Sequence, residues 1–101
     1  MFIYNITLKV NKDIIEEWLQ WQREEHIPEV MGTALFTEYK FFRLLDQDES
    51  DDPTYVVQFI TDELNKYRKY ISDHAPLLRE KAMARWGNQF IGFRTLMESV
   101  K

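Results

Sequence analysis

Two histidines are the side chains of this sequence whose chemistry stands out first. His26 and His74 are the only imidazoles, and each lies two residues before a proline near the predicted end of a helix. Imidazole normally titrates near neutral pH, so either ring could act as a general base or as a ligand to a metal or haem iron. The structural alternative is a ring that is buried at a helix end and hydrogen-bonded to backbone or to a carboxylate. His74 is the stronger functional candidate because it continues the apolar stripe of its helix toward the predicted sheet.

Two arginines are the next candidates, because both lie inside predicted strands among aromatic and aliphatic neighbours. Arg43 and Arg94 could clamp a carboxylate or phosphate, or stack on an aromatic ring. They could equally form buried ion pairs with Glu38 or Glu98, and the sequence leaves both interpretations open. If a small apolar or anionic ligand exists, we expect Arg43, Arg94 and His26 to bind it.

The composition argues against several other functions. The 101-residue chain has 13 basic and 17 acidic residues and a formal net charge of −4, whereas a nucleic-acid partner would need a basic face. It has no run of basic residues for an anionic membrane surface, and no cysteine for disulfides or thiolate chemistry. The first residues show neither a signal peptide nor a transmembrane segment, so we expect a cytoplasmic protein.

No motif for a metal ion or a phosphate group is present. The acidic segment 46–52 lacks the glycine turn and the bidentate glutamate of a calcium loop. The chain also has no glycine-rich phosphate loop, no Gly-x-Ser-x-Gly and no His-Glu-x-x-His. We therefore predict no metal site, and no cofactor follows from the motifs.

Hydrophobic periodicity predicts four strands. Alternation with period two, rich in β-branched and aromatic residues, is typical of strands. The predicted strands are residues 2–10, 35–45, 54–61 and 89–100. The acidic segment 46–53, a hairpin loop or a locally disordered one, joins the second strand to the third.

Two helices are predicted between these strands. The first should run from a cap at Asn11 to about Ile27, where Pro28 either kinks or ends it. The second should begin at a cap at Asp62, be interrupted by Pro76, and end near Trp86, before Gly87. Trp18 fits the apolar stripe of the first helix and Trp86 closes the second, so we expect both to pack in the core.

The order β-α-β-β-α-β predicts an α+β fold of the ferredoxin-like type, as one domain over residues 1–101. In this fold two helices cover one face of a four-stranded antiparallel sheet. The second and third strands carry apolar side chains on both faces, and a sheet that is apolar on both faces must be covered on both. The simplest cover is a second copy, so we expect a homodimer in which two sheets pack into a dimeric α+β barrel.

Four segments of the chain resemble a known bacterial family, catalogued as domain of unknown function 4286. They are residues 16–19 (EEWL), 24–31 (EEHIPEVM), 73–79 (DHAPLLR) and 93–96 (FRTL), and the resemblance covers nearly the whole chain. The layout is similar to that of the dimeric α+β barrel superfamily, which implies a homodimer and often a ligand pocket between the sheet and the helices. Its members include cofactor-free quinol monooxygenases, haem-degrading monooxygenases, lactone isomerases and binding proteins, and a shared fold does not choose among these.

The resemblance to this superfamily also implies a set of site residues. Its haem-degrading members use an Asn on the first strand, a Trp on the third strand and a His on the second helix. Asn5 and His74 occupy similar elements here, whereas the third strand offers Tyr55 and Phe59 in place of the Trp. Haem is therefore the one cofactor that the resemblance implies. An amide in a strand is otherwise a structural polar group that is satisfied by its neighbours.

Two hypotheses for the function follow. In the first, the protein is a homodimeric binding protein without catalysis. In the second, it is a monooxygenase-like or isomerase-like enzyme of the dimeric-barrel type that acts on a small aromatic or haem-type ligand. The catalytic residues would then be His74, Asn5 and Tyr55. The sequence does not decide whether the protein is an enzyme.

Overall fold

The chain forms four strands and four short helices in a computed structural model, which describes residues 1–101. The elements are β1 (Phe2–Val10), α1 (Ile15–Trp21), α2 (Ile27–Met31), β2 (Glu38–Arg43), β3 (Thr54–Thr61), α3 (Leu64–Asp73), α4 (Ala75–Trp86) and β4 (Phe90–Glu98). A 3-10 turn, Lys12–Ile14, precedes α1, and a π-helical segment, Gln22–His26, joins α1 to α2. None of these helices has both the length and the hydropathy that a bilayer-spanning segment requires.

The strands form one antiparallel sheet in the order β2-β3-β1-β4. The helices cover one of its faces, so the predicted ferredoxin-like α+β fold is confirmed. The predicted strands 2–10 and 54–61 match β1 and β3, because a clean period of two fixes both the element and its faces.

The register of the sheet assigns each side chain to one of two faces. Tyr4 is paired with Phe59 and Leu96, and these side chains point to the helix-side face. The next residue, Asn5, is paired with Gln58 and belongs to the opposite face, which we call the open face because no part of the chain covers it. The buried core therefore lies on the helix side.

The first helix continues past Ile27, where Pro28 was predicted either to kink it or to end it. Pro28 has no N–H for a bond to the carbonyl of Glu24, and in an α-helix its ring would press against that carbonyl. The chain widens there into the π-helical segment, in which the Ile27 N–H donates to the carbonyl of Gln22. The helix then continues as α2 to Met31 instead of ending at Ile27.

The second strand is shorter than predicted, six residues in place of 35–45. Phe36 precedes it and turns into the core, where its ring lies 5.1 Å from that of Tyr70 and 6.3 Å from that of Tyr4. Ala34 makes this turn possible by adopting a left-handed backbone with φ 62°. A strand extended from residue 35 would have placed Phe36 on the open face together with Phe42, but the turn puts Phe36 in the core.

The interrupted second helix is confirmed as α3 and α4, with the break at His74, two residues before Pro76. Its first residue differs from the prediction. Glu63 and not Asp62 precedes the first helical turn, and Asp62 instead lies 3.8 Å from the Nζ of Lys66. The helix ends at Gly87, whose φ of 59° a side chain would disfavour.

Candidate functional site

A cavity of about 370 Å³ lies between the helix-side face of the sheet and the helices. This volume falls within the range of small-molecule sites, and eleven of its seventeen lining residues are apolar, as is usual for such sites. The lining residues are Tyr4, Ile6, Leu8, Trp21, Gln22, His26, Val57, Phe59, Tyr70, Leu78, Arg79, Ala82, Met83, Gly87, Phe90, Gly92 and Arg94.

A glycine on the sheet, Gly92, helps to keep this space open. Gly92 on β4 is paired with Leu8 on β1, so a side chain at position 92 would point to the helix side. A Cβ there would lie 3.1 Å from Cδ2 of Leu8. Glycine at this position therefore leaves room on the sheet wall that any other residue would fill.

His26 is the imidazole that lines the cavity. It ends the π-helical segment and stacks on the indole of Trp21, with 4.7 Å between ring centroids and 22° between planes. Burial lowers the pKa of His26 from its usual 6.5 to about 4. Glu29 opposes this shift, and Arg94 and Lys81 add to it. The ring is therefore neutral at neutral pH and can accept a hydrogen bond or a proton from a ligand.

Gln22 is a buried polar side chain in the same wall, with 3% of its surface exposed. Its Oε1 atom has no hydrogen-bond partner in the protein. A buried acceptor without a donor lowers the stability of the folded protein by about 1–3 kcal/mol. The Oε1 atom itself is fully buried, so a ligand in the cavity would reach it only if the side chain turned toward the cavity.

Two tyrosines and an arginine complete the polar part of the site. Nη2 of Arg79 donates to the Tyr4 hydroxyl at 3.3 Å, and the rings of Tyr4 and Tyr70 are 5.9 Å apart. Burial raises the pKa of Tyr70, Tyr4 raises it further, and Arg79 and Arg94 partly oppose this. Tyr70 therefore stays protonated at neutral pH and presents a hydroxyl as a hydrogen-bond donor.

The structure brings two of the six predicted site residues to this cavity. They are His26 and Arg94, both expected to bind a ligand. Arg94 is paired with Ile6, so its side chain points to the helix side and does not pair with Glu98. Arg43 also points to the helix side, at the end of β2, but it lines a separate cavity beside the acidic loop.

The three residues predicted to be catalytic lie apart from one another. His74 stands at the junction of α3 and α4, where its ring stacks on Tyr70 at 6.3 Å and its backbone N–H donates to the Tyr70 carbonyl. Tyr55 is buried against Trp18, with ring centroids 5.3 Å apart. Asn5 lies on the open face. Within one protomer they form no common site.

Asn5 is instead a satisfied polar residue, which was the structural alternative considered for it. Its Oδ1 accepts from Nε2 of Gln58 at 3.2 Å, and its Nδ2 donates to Oγ1 of Thr7 at 3.3 Å. Haem bound as the resemblance implies would need Asn5 and His74 on the walls of one cavity. The sheet separates them, so the residues do not fit that arrangement. No group of three or more His, Asp or Glu side chains is placed to hold a metal ion.

The sequence analysis missed Gln22 and Arg79. A signal for Gln22 was present, because it lies four residues after Trp18, on the same side of the helix, where a polar residue is unexpected. Arg79 lies beside Leu78 at the edge of the buried stripe of α4. Charged residues are common at this position of a helix, so nothing marked Arg79 as functional. Arg79 belongs to the site because β4 lines the same cavity with Arg94.

The fold and the cavity together define a class, a ferredoxin-like α+β protein with a ligand-sized cavity on the helix side of its sheet. The chain belongs to the family described as Domain of unknown function (DUF4286), which matches residues 1–100. The predicted resemblance to this family is confirmed. No curated protein matches the chain.

Several solved structures share the fold at low sequence identity. An ethyl tert-butyl ether d (ethd) family protein from Bacillus halodurans c-125 is similar with a TM-score of 0.71 and 13% identity, over 99% of this chain and 100% of that chain. SnoaB, a cofactor-independent oxygenase from Streptomyces nogalater, has a TM-score of 0.71 and 13% identity, over 99% of this chain and 93% of its own. An antibiotic biosynthesis monooxygenase has a TM-score of 0.68 and 17% identity, over 100% of both chains. At these identities the likeness supports the fold and not an activity.

Proposed function

We propose that this protein is a homodimeric binding protein that holds a small, mostly apolar molecule in the helix-side cavity. The observation that carries the proposal is a ligand-sized cavity with mostly apolar walls that hold two polar side chains, the neutral imidazole of His26 and the amide of Gln22. Apolar walls supply affinity, and a few convergent polar groups supply orientation. A ligand hydroxyl suits this wall, because it can donate to the unprotonated nitrogen of His26 or accept from its N–H.

The open face supports the homodimer. It carries exposed apolar side chains on both edge strands, among them Phe42 on β2 and Ile91 and Phe93 on β4, and 67% of Phe93 is exposed. A patch of this kind marks an interaction surface in soluble proteins. The sheet lies between this face and the cavity, so a second copy can cover the face without closing the ligand site.

A cofactor-free oxygenase is the second candidate, and the neutral His26 favours it. A base in an apolar cavity could take a proton from an acidic O–H or C–H of a substrate, and the resulting anion could reduce dioxygen. In such a reaction the substrate supplies all the electrons. One CH₂ group becomes C=O, and the second oxygen atom leaves as water. SnoaB, which shares the fold, is described as a cofactor-independent oxygenase.

The free-energy cost of proton transfer decides which of the two candidate functions we place first. A phenolic hydroxyl has a pKa near 10, so transferring its proton to a base with a pKa of about 4 costs about six pKa units, or roughly 8 kcal/mol. Attraction between the imidazolium and the new anion would have to offset that cost. Binding needs no such compensation, so we place it first.

The test uses N-phenyl-1-naphthylamine, a neutral probe that fluoresces in apolar surroundings. We expect it to bind the intact protein and to lose affinity in Ala82→Leu, because Ala82 lines the cavity and a larger side chain would fill it. The matched control is Ala84→Leu on the same helix, since Ala84 is exposed and lies outside this cavity. Equal binding by all three proteins would sink the proposal.

Native mass spectrometry of the purified protein tests the homodimer and the function together. A dimer that carries one extra small molecule per chain would support the binding protein. For the second candidate, oxygen consumption with that molecule should vanish in His26→Phe. Turnover that persists in this variant would remove His26 from the reaction.

A further inference from the structure

Two arginines flank the mouth of the cavity and suggest which ligand it accepts. Arg79 belongs to α4 in the helix layer and Arg94 to β4 in the sheet, so the two approach the cavity from opposite walls. Both residues are exposed, whereas the inner walls around Tyr4, Phe59 and Leu78 are buried. The positive charges therefore stand where the cavity meets solvent.

Neither guanidinium is neutralised by the protein. The ion pairs of the molecule involve Lys66 and Lys81 alone, and the polar contact of Arg79 is to the neutral hydroxyl of Tyr4. None of the 17 Asp and Glu side chains lines the cavity, although the chain as a whole carries a net charge of −4. The cavity is thus a positive site in an acidic protein.

The two charges also act on the interior of the cavity. Arg79 and Arg94 both oppose the upward shift of the Tyr70 pKa, and Arg94 helps to lower the pKa of His26. Their field therefore reaches the buried polar groups, and a negative charge at the mouth would be attracted by both. Deeper in the cavity an anion would lose its hydration without a cation beside it, so the favourable place for the charge is the mouth.

We propose that the cavity binds an amphipathic organic anion, whose apolar body fills the buried part and whose carboxylate or other oxyanion lies between Arg79 and Arg94. This inference rests on the proposed function, because it names the ligand class for the same cavity. Guanidinium groups suit this role, since they stay charged at any physiological pH and match the planar geometry of an oxyanion. The apolar body would also be oriented, because the charged end has to lie between the two arginines.

The experiment compares two probes that differ by one charge. They are 8-anilinonaphthalene-1-sulfonate, which carries a sulfonate, and neutral N-phenyl-1-naphthylamine. We expect Arg79→Gln and Arg94→Gln each to weaken binding of the anionic probe by about tenfold, and the double variant to weaken it further. The neutral probe should bind all of these variants within about twofold of the intact protein. Higher salt should weaken only the anionic probe.

Two control variants make the outcomes distinct. Arg43→Gln removes a positive charge from the same face of the sheet but outside the cavity, so neither probe should respond. Ala82→Leu should abolish binding of both probes if both occupy the cavity.

If the double arginine variant binds the anionic probe as tightly as the intact protein does, and still binds the neutral probe, the proposed ligand class alone is wrong. Equal loss of both probes in the arginine variants overturns it as well. Failure of both probes to bind the intact protein overturns the proposed function too.

Discussion

Trp21 and His26 stack on each other although they are five residues apart in a helix. Their ring centroids lie 4.7 Å apart with 22° between the planes. In an α-helix, residues five apart point about 140° away from each other, because each residue turns the chain by about 100°. The π-helical segment removes this separation and aligns both rings with the cavity wall. Such segments occur frequently at functional sites, and here the segment is what gives the cavity its imidazole.

Acid should destabilise the protein through His26. The pKa of His26 is lowered from 6.5 to about 4 by burial, so between these values the unfolded chain binds a proton that the folded chain does not. Stability is therefore fully present above pH 6.5 and falls as the pH is lowered toward 4. Between pH 7 and about pH 5 the loss should reach roughly 2 kcal/mol. Urea unfolding at a series of pH values measures it.

The matched variants for this pH effect are His26→Gln and His74→Gln. His26→Gln should flatten the slope between pH 7 and pH 5, whatever its effect on stability at pH 7. His74→Gln leaves the buried imidazole in place and should retain the slope. If both variants keep the slope of the unmodified protein, another group titrates in this range and the pKa argument for His26 is wrong.

Replacing Gln22 by Met should stabilise the protein. The change keeps the length of the side chain and removes the buried Oε1 atom that has no partner. The free energy of unfolding should rise by about 1–2 kcal/mol, and Tm by several degrees. Gln20→Met on the exposed side of α1 is the control, and a destabilised Gln22→Met variant would mean that Oε1 is already satisfied by buried water.

Trp18 should be the most costly single residue to truncate. It is fully buried, and its ring packs against those of Tyr55, Phe41 and Phe90 at centroid distances of 5.3 to 6.1 Å. Trp18→Ala should cost about 3–5 kcal/mol, a large part of the stability of a small domain. Trp18→Phe should cost much less, because it keeps a ring in place and removes a buried N–H that has no partner. If thermal unfolding shows that Trp18→Ala and Trp18→Phe lose the same amount of stability, this packing argument is wrong.

A charge on the open face should break the proposed homodimer. Phe93→Asp places a carboxylate on the face that a second copy would cover, so the dimer should dissociate at micromolar concentration in analytical ultracentrifugation. Leu77→Asp is the control, because Leu77 is similarly exposed, at 62% against 67%, but lies on the helix layer. The neutral probe should still bind the Phe93→Asp monomer. A Phe93→Asp protein that stays dimeric would exclude the open face as the interface.

The strands and the core were readable from the sequence because their signals are local. Alternation over 2–10 and 54–61 fixed two strands and their faces, and helical spacing assigned Trp18 to the core. The orientation of Arg94 was not readable in the same way. Its strand carries apolar residues on both faces, so only the pairing with Ile6 on β1 shows which way it points.

The cavity itself depends on relationships that no single segment contains. His26 reaches it through a widened turn, which a search for α-helical periodicity cannot detect. Arg79 belongs to the site because β4 carries Arg94 across from it. The superfamily resemblance pointed to His74 and Asn5 by element alone, and an element does not specify on which side of the sheet a side chain lies.

The π-helical segment has a further consequence for how this helix tolerates changes in length. It holds one residue more than an α-helical turn, yet Trp18 before it and Ile27 and Val30 after it face the same core. Loss of one residue such as Glu24 would therefore convert the segment to an ordinary turn without moving Ile27 or Val30 out of phase. The same loss within α4, which has no widened turn, would rotate all later residues of that helix by about 100°. The first helix can therefore lose one residue without a change in the orientation of its later core residues. This tolerance lies next to the only histidine that lines the cavity.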